Sequence, residues 1–184
     1  MLRKLAKWRD YAAARAIARR AAANLLARSD VRHVLVVCYG NIYRSPFVAT
    51  SLAARCGAGG VLEIRSAGFH PREDRQVEHG FQEMIRADYG IDLSGHRSRR
   101  LKSADLEWAD LVVIMDGHNY RMMHDDHRDH LSKSLWLGAV STETPVIIRD
   151  PYGLEVQSQR AIARQLDVAS RALAAHLNHV AAWT

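Results

Sequence analysis

Residues 36–46, VVCYGNIYRSP, place a single cysteine where an apolar run gives way to a polar loop. The loop after Cys38 holds Gly40 and Asn41, and Arg44 stands six positions after the cysteine. A short β-branched run predicts a buried strand, and the proline of RSP suits the first turn of a helix. The stretch therefore predicts a strand, a loop and a helix in direct succession.

The same alternation continues along the chain. Apolar β-rich segments predict strands at 31–37, 61–65, 111–115 and 134–137. Helical periodicity predicts helices at 45–55 and 73–89, a short helix after 115 and a long one after 153. Alternating strands and helices favour a parallel sheet. We therefore expect one α/β domain over 31–184, a three-layer sandwich with a four-stranded parallel sheet flanked by helices.

The loop after the first strand has the composition of an anion site. Backbone N–H groups at a helix start attract negative charge, and Gly40 lets neighbouring N–H groups converge. Arg44 can offer a planar fork of donors to an oxyanion. The same field favours a Cys38 thiolate, which Ser45 can stabilise as a leaving group. A bare C-x5-R pattern would favour a buried core cysteine instead, but the polar neighbours favour the anion site.

Attack by a thiolate on a phosphoryl group also needs an acid that protonates the departing oxygen. Asp150, in RDPYG at 149–153, lies at the end of an apolar run and before a turn set by Pro151. The alternative is that Asp-Pro is an ordinary turn pair without a catalytic role.

Five stretches in this order resemble the low-molecular-weight protein tyrosine phosphatases. VVCYGNIYRSP resembles the phosphate loop of that family, and RSAG at 65–68 resembles its Ser-Ala-Gly segment. IDLSGHRSRRL at 91–101 is similar to its histidine-containing segment, and ADLVVIMDGHN at 109–119 to its third strand and turn. DPYG at 150–153 resembles its acid loop. The resemblance spans about residues 31–177 and excludes the segment before it.

The resemblance implies a phosphotyrosine phosphatase that forms a phosphocysteine intermediate and uses no metal or organic cofactor. It implies Cys38 as the nucleophile, Arg44 as the clamp on the phosphate, and Asp150 as general acid and then general base. The residues it implies as phosphate-binding are Tyr39, Gly40, Asn41, Ile42, Tyr43 and Ser45. Those it implies as support for the strained loop are Ser66 and His96, together with Asn41.

Aromatic residues near the loop predict how a substrate ring is held. Tyr39, Tyr43 and Tyr152 can form the apolar walls of a deep slot; alternatively, Tyr39 and Tyr43 only pack the loop. At the rim we expect Arg72, where relatives often carry an aromatic or aliphatic residue. A cationic rim favours an acidic phosphopeptide, or the tyrosine-rich tail of a kinase of bacterial polysaccharide export.

Two other functions compete with hydrolysis. Arsenate reductases of the family relay oxidation through further cysteines, whereas this chain has only Cys56 besides Cys38. A regulator that only binds phosphoproteins would not need nucleophile, clamp and acid together. Members of the family often carry a second cysteine where Tyr43 stands, so we expect peroxide to over-oxidise Cys38.

The run HDDHRDH at 124–130 has the residue types of a metal site. Its histidines are three positions apart, a spacing that drifts around a helix, and a polar run after a short helix is typically a solvated surface. We therefore expect no metal there.

Residues 1–30 form a basic N-terminal extension. They hold eight basic and two acidic residues, which accounts for the whole net charge of +6. Residues 2–28 lack Gly and Pro and predict a helix. We favour a solvated helix packed loosely on the domain; contact with an anionic membrane surface or an acidic partner, and a cleaved targeting segment, are the alternatives. The neutral remainder indicates no nucleic-acid partner.

The compartment follows from what the sequence lacks. No apolar run reaches the roughly 18 residues of a membrane span, and no apolar signal region follows the basic start. Two cysteines do not form a disulfide framework. We expect a cytoplasmic protein, monomeric or weakly dimeric, with membrane association through the N-terminal helix as the alternative.

Overall fold

The computed structural model describes residues 2–56 and 62–181, with side chains described for 14–56 and 62–178. Four parallel strands form one sheet in the spatial order β2-β1-β3-β4. The strands are β1 (His33–Cys38), β2 (Glu63–Gly68), β3 (Leu111–Ile114) and β4 (Ser134–Trp136). The predicted α/β class with a four-stranded parallel sheet is confirmed.

Helices surround this sheet. They are α1 (Leu2–Leu26), α2 (Arg44–Cys56), α3 (His79–Tyr89), α4 (Ser103–Trp108), α5 (Gly117–Asp126) and α6 (Val156–Ala181). Two short 3-10 helices cover Arg128–Lys133 and Leu137–Ala139. No helix within 2–56 and 62–181 is long and apolar enough to cross a membrane.

The central strand β1 divides the core into two layers. Val34 and Val36 pack into one hydrophobic cluster, whereas Leu35 and Val37 pack into another on the opposite face. Side chains alternate between faces along a strand, so a continuous apolar run belongs to a strand covered on both sides. This explains why the run before Cys38 shows no polar alternation.

The carboxyl ends of the strands share one edge of the sheet. Cys38, the last residue of β1, pairs with Gly68, the last residue of β2, and β3 ends beside them at Ile114. In open parallel sheets this edge carries the ligand site, because the loops that follow the strands converge there. The nucleophile predicted from the sequence lies on it.

The segment 73–78 corrects a prediction. It was expected to begin a helix over 73–89, but α3 starts only at His79. The N–H groups of Asp74 and Arg75 donate to the carbonyl and hydroxyl of Ser98 at 2.7 and 3.0 Å, and Ser98 N–H donates to Arg75 O at 2.9 Å. These bonds to a distant loop satisfy backbone groups that a helix would otherwise pair internally.

Strand β2 also differs from its predicted bounds. It was expected at 61–65, of which residue 61 lies outside the described residues, and it runs through Gly68. Ser66, Ala67 and Gly68 therefore belong to the strand and not to a loop after it. Their place in the sheet brings them against the loop that follows Cys38.

Helix α1 is attached to the domain through its second half. Ala22 and Leu26 are buried in the larger core cluster. Arg19 donates through Nη1 to Ser141 O at 2.5 Å and through Nη2 to Thr144 O at 3.2 Å. Ile17 stays exposed on the outer face. The helix predicted over 2–28 is present, whereas the role of residues 1–30 as an extension stays a prediction.

Gly138 provides a test of this packing. A Cβ at Gly138 would overlap the carbonyl oxygen of Pro145 and lie 2.6 Å from that of Val146. We expect Gly138→Ala to destabilise the protein by about 3 kcal/mol or more in urea unfolding, because both obstacles are backbone.

The control is Gly80→Ala in α3, where a Cβ meets nothing within 4 Å. Alanine is the better helix former, so this variant should gain up to about 1 kcal/mol. Equal unfolding midpoints for the two variants would contradict the packing described here.

Candidate active site

Cys38 lies at the bottom of a pocket of about 390 Å³ at the carboxyl edge of the sheet. Its side chain is almost fully buried. The pocket is lined by Cys38, Tyr39, Gly40, Ile42, Tyr43, Arg44, His70, Arg75, Asp150 and Tyr152. The predicted nucleophile, clamp and acid, which are up to 112 positions apart in the sequence, therefore share one cavity.

The loop between β1 and α2 is held by Asn41. This residue adopts a left-handed φ of 52°, which costs energy for a residue other than glycine. Its side-chain Nδ2 donates to Ser45 Oγ at 2.9 Å and to Ser66 Oγ at 3.0 Å. Its Oδ1 accepts from Arg99 N–H at 2.9 Å. These bonds to α2, to β2 and to the loop that contains Arg99 fix the strained conformation.

His96 supports the same residue from outside the loop. Its Nε2 donates to Asn41 O at 2.7 Å, so the ring carries a hydrogen on that nitrogen. Burial lowers the pKa of His96, although the bond to Asn41 acts in the opposite direction. The loop also packs so closely on Gly68 that a side chain would not fit there: a Cβ at Gly68 would lie 2.7 Å from Tyr39 O and 2.9 Å from Asn41 N. Both Ser66 and His96, implied by the resemblance as support, contact the loop.

The Cys38 sulfur has two polar neighbours. Its Sγ lies 3.1 Å from Ser45 Oγ and accepts from Asn41 N–H at 3.3 Å. Ser45 Oγ accepts a hydrogen from Asn41 Nδ2, and its own hydrogen has two acceptors in reach, the sulfur at 3.1 Å and Ala67 O at 3.4 Å. A thiolate only accepts hydrogen bonds, so the shorter contact favours donation to the sulfur when Cys38 is ionised. This arrangement stabilises a thiolate, both before attack and when it departs.

Arg44 is buried between two carboxylates. Its Nη1 donates to Asp116 Oδ2 at 2.5 Å and to Ile148 O at 3.2 Å, and its Nη2 pairs with Asp150. Burial lowers the pKa of Arg44, but the Cys38 thiolate and the two carboxylates outweigh that effect and raise it above its usual value. Nε has no acceptor among the described residues. This buried donor is available to an anion.

Asp116 is a site residue that sequence reasoning missed. It follows β3 directly, and its Oδ1 caps α5 by accepting from Asn119 N–H at 2.8 Å. Its position directly after a buried strand was the signal that could have identified Asp116, since the carboxyl ends of parallel strands meet at one edge of the sheet.

Asp150 is more exposed to solvent than Asp116. Its Oδ1 accepts from Tyr152 N–H at 3.0 Å.

The three tyrosines have different environments. Tyr43 is buried, its ring packs edge-on against Phe81, and its hydroxyl donates to Glu78 at 2.5 Å. Burial and the bond to Glu78 raise the pKa of Tyr43. Tyr39 is 38% exposed and Tyr152 is 71% exposed, both at the mouth of the pocket. Tyr43 thus fills the loop, while Tyr39 and Tyr152 are free to meet a ring.

The expected cationic rim residue is a different arginine. Arg72 is exposed and does not line the pocket, whereas Arg75 does. The reason is the non-helical segment 73–78, whose bonds to Ser98 turn Arg75 toward the phosphate loop.

The histidine run 124–130 has no grouping that suits a cation. His124 contacts Asp125 and Arg128, and His127 stacks on Phe69 at 6.4 Å. Among the residues that the structure describes, no three His, Cys, Asp or Glu side chains come together as a metal site would require.

The family model of the low molecular weight phosphotyrosine protein phosphatases matches residues 33–182. The chain belongs to this family. It is therefore an enzyme of the protein-tyrosine-phosphatase class, a hydrolase, and the resemblance drawn from its motifs is confirmed.

Several relatives show the range of this family. The probable low molecular weight protein-tyrosine-phosphatase EpsP of Ralstonia nicotianae is 30% identical over 66% of this chain and 79% of its own. The protein-arginine-phosphatase of Geobacillus stearothermophilus is 30% identical over 73% of this chain and 88% of its own.

Two solved structures have the same fold. The YwlE arginine phosphatase from Geobacillus stearothermophilus superposes with a TM-score of 0.71 at 28% identity, over 80% of this chain and 94% of that one. The tyrosine phosphatase Wzb from Escherichia coli K30 also gives 0.71, at 24% identity, over 80% of this chain and 99% of that one.

The pKa of His96 predicts a pH dependence of stability. Because folding lowers that pKa below the ordinary 6.5, its contribution is fully present above about pH 6.5 and decreases as the pH falls toward the native value. We expect the wild type to lose stability relative to His96→Asn between about pH 7.5 and about pH 5.5. Unfolding by urea at both pH values measures this. A pH-independent difference would contradict it.

Oxidation of Cys38 gives a second prediction. The other cysteine, Cys56, lies at the far end of α2, a helix of roughly 20 Å, whereas a disulfide needs Cα atoms within about 7 Å. We expect peroxide to inactivate the enzyme and dithiothreitol to leave it inactive, because the sulfur proceeds to sulfinic or sulfonic acid.

The matched variant is Tyr43→Cys, which supplies a thiol where family members often carry one. It should recover activity with dithiothreitol. Full recovery of the wild type would show that Cys38 is protected by another route.

Proposed function

We propose that this enzyme hydrolyses phosphotyrosine in proteins through a phosphocysteine intermediate. The observation that carries the proposal is the convergence of Cys38, Arg44 and Asp150 in one pocket. Each has the chemistry of one required role: a nucleophile, an oxyanion clamp and a proton donor.

In the first step, the substrate phosphate binds in the loop and its oxygens accept hydrogen bonds from Arg44. These include a bond from Nε, which has no acceptor among the described residues of the free enzyme. Asp150, which pairs with Arg44 in the free enzyme, is released to face the leaving oxygen. Cys38 Sγ attacks phosphorus, and an S–P bond forms. The P–O bond to tyrosine breaks, and the Asp150 carboxyl group gives its proton to the tyrosine oxygen.

In the second step, the Asp150 carboxylate takes a proton from water. The water oxygen attacks phosphorus, the S–P bond breaks and inorganic phosphate leaves. The returning thiolate is stabilised by Ser45 Oγ at 3.1 Å and by the N–H of Asn41 at 3.3 Å. The same groups therefore serve Cys38 as nucleophile and as leaving group.

The pocket walls support phosphotyrosine over phosphoarginine, the substrate class named by the Geobacillus relative. Tyr39, Ile42 and Tyr152 supply apolar surface in the lining of the pocket that holds Cys38, which suits a phenyl ring. A phosphoarginine guanidinium would instead meet the cationic side chain of Arg75. Both phosphotyrosine and phosphoarginine should be tested as substrates, because the relatives include tyrosine and arginine phosphatases.

Two competing functions have weaker support. Arsenate reduction by cysteine relay needs further thiols, and Cys56 is buried at the far end of α2. A regulator that binds phosphoproteins without hydrolysis would not require Asp150 next to Arg44. The presence of all three groups in one pocket favours catalysis.

The cellular setting belongs to the same proposal. We propose a cytoplasmic enzyme, since a reducing compartment keeps Cys38 as a thiol. Its substrate would be an acidic phosphopeptide, which suits the cationic Arg75 in the pocket wall, or the tyrosine-rich tail of a kinase of bacterial polysaccharide export. The basic residues within 1–30 would contact an anionic membrane surface or an acidic partner.

Hydrolysis of para-nitrophenyl phosphate and of a phosphotyrosine peptide tests the assignment. Cys38→Ser should lose at least about 10⁴-fold in kcat with both substrates. Asp150→Asn should lose roughly 10²- to 10⁴-fold with phosphotyrosine. It should lose less in the first step with para-nitrophenyl phosphate, whose leaving oxygen needs less protonation.

Asp129→Asn is the matched control, since Asp129 is exposed and lies in the 3-10 helix at 128–133. It should match the wild type. Activity of Cys38→Ser or Asp150→Asn equal to that of the control would refute the assigned roles.

A further inference from the structure

Arg75 is a cation of the pocket wall that the proposed mechanism does not use. Its backbone is fixed by two bonds to Ser98, at 3.0 Å through the N–H and 2.9 Å through the carbonyl. Its guanidinium extends over the phosphate loop, where Nη2 donates to Gly40 O at 2.5 Å and Nε donates to Arg72 O at 3.1 Å. The charge therefore has a defined position beside the site.

No carboxylate among the described side chains forms an ion pair with Arg75. Two other arginines near the site have acidic partners: Arg44 has Asp116 and Asp150, and Arg99 has Asp105 at 2.8 Å. Within the described side chains, none of the ion pairs involves Arg75, whose contacts are backbone carbonyls. A fixed cation that lines a substrate pocket without a protein counter-ion is suited to an acidic ligand group.

His70 adds a second donor to the same wall. Its Nδ1 accepts from Arg72 N–H at 3.0 Å, so the neutral ring carries its hydrogen on Nε2. The ring meets Tyr39 edge-on at 5.4 Å and lines the pocket with Arg75. The wall formed by the loop after β2 thus presents only donors, next to the tyrosine expected to hold the substrate ring.

The other side chains of the pocket differ from this wall. Tyr43 and Tyr152 are aromatic, and the Tyr43 hydroxyl is committed to Glu78. Asp150 pairs with Arg44 and is the proton donor of the proposed reaction. Arg75 is therefore the arginine of the lining that has no part in binding the phosphate, and it attracts an acidic neighbour of the phosphotyrosine.

We infer that Arg75, with His70 beside it, is a specificity subsite that binds the side-chain carboxylate of an acidic residue adjacent to the phosphotyrosine. The inference rests on the proposed phosphotyrosine hydrolysis and names the substrate class within it. Arg75 touches the substrate but takes no part in bond making. The phosphate itself stays with Arg44 and the loop.

The test uses three phosphotyrosine peptides that differ only in the flanking residues, which are Glu, Gln or Lys. The ratios of kcat/KM are measured by phosphate release at low and high ionic strength. We expect the wild type to prefer the Glu peptide over the Gln peptide by about fivefold, the size of a partly exposed ion pair. This preference should decrease at high salt.

Two substitutions distinguish recognition from loop support. Arg75→Gln should abolish the preference for Glu, and Arg75→Glu should reverse it in favour of the Lys peptide. Loss of the bond to Gly40 alone would lower kcat/KM by the same factor for all three peptides. A change in the ratios between peptides therefore indicates loss of the subsite and not loss of loop support. The matched variant Arg72→Gln removes a nearby exposed arginine outside the pocket and should keep the wild-type ratios.

Unchanged ratios in both Arg75 variants would overturn the subsite while phosphotyrosine hydrolysis stands. So would equal turnover of the three peptides by the wild type. If the wild type hydrolyses none of the peptides, the proposed function itself fails, and the subsite fails with it.

Discussion

The hydrogen bonds of Asn41 are the constraint on which the site depends. One side chain ties the phosphate loop to β2 through Ser66, to the start of α2 through Ser45, and to the loop 96–101 through Arg99 N–H. The left-handed backbone of Asn41 is unfavourable in isolation and persists because these partners and His96 determine it. Its N–H then faces the Cys38 sulfur at 3.3 Å.

The second constraint is the burial of a positive charge. An arginine as buried as Arg44 is stable only with close acidic partners. Asp116 supplies a partner at 2.5 Å whose other oxygen is bonded to the start of α5, and Asp150 supplies a more exposed one. A phosphate dianion can replace the Asp150 carboxylate without leaving Arg44 unpaired. The free enzyme thus balances the charge of Arg44 with the carboxylate that the proposed mechanism uses as its acid.

Much of the fold and site follows from short-range sequence signals. The run 34–37 is apolar enough to be buried on both faces, and Pro46 marks the start of α2, so the strand, loop and helix around Cys38 are predictable. Asp150 was predicted as the general acid from its place before a proline turn, and the structure brings it to the pocket that holds Cys38 and Arg44. The ordered set of motifs identified the family, which the family model confirms.

The rest depends on contacts between distant segments. Helical spacing over 73–89 gave no sign that Ser98 would hold residues 74 and 75 away from the helix, and that bond decides that Arg75 and not Arg72 lines the pocket. Asp116 was missed because its partner Arg44 is 72 positions away in the sequence. The role of Tyr43 depended on Glu78 and Phe81, which only the folded chain brings to it.

The most direct test of the central claim is to trap the phosphate on the enzyme. With para-nitrophenyl phosphate, whose leaving oxygen needs less protonation, Asp150→Asn should slow the attack of water more than it slows formation of the intermediate. Acid quenching during turnover should therefore leave phosphate attached. Mass spectrometry of the digested protein is expected to find it on the peptide that contains Cys38, and Cys38→Ser should carry no phosphocysteine. Continued turnover with no phosphate on Cys38, or with phosphate on another residue, would contradict this account.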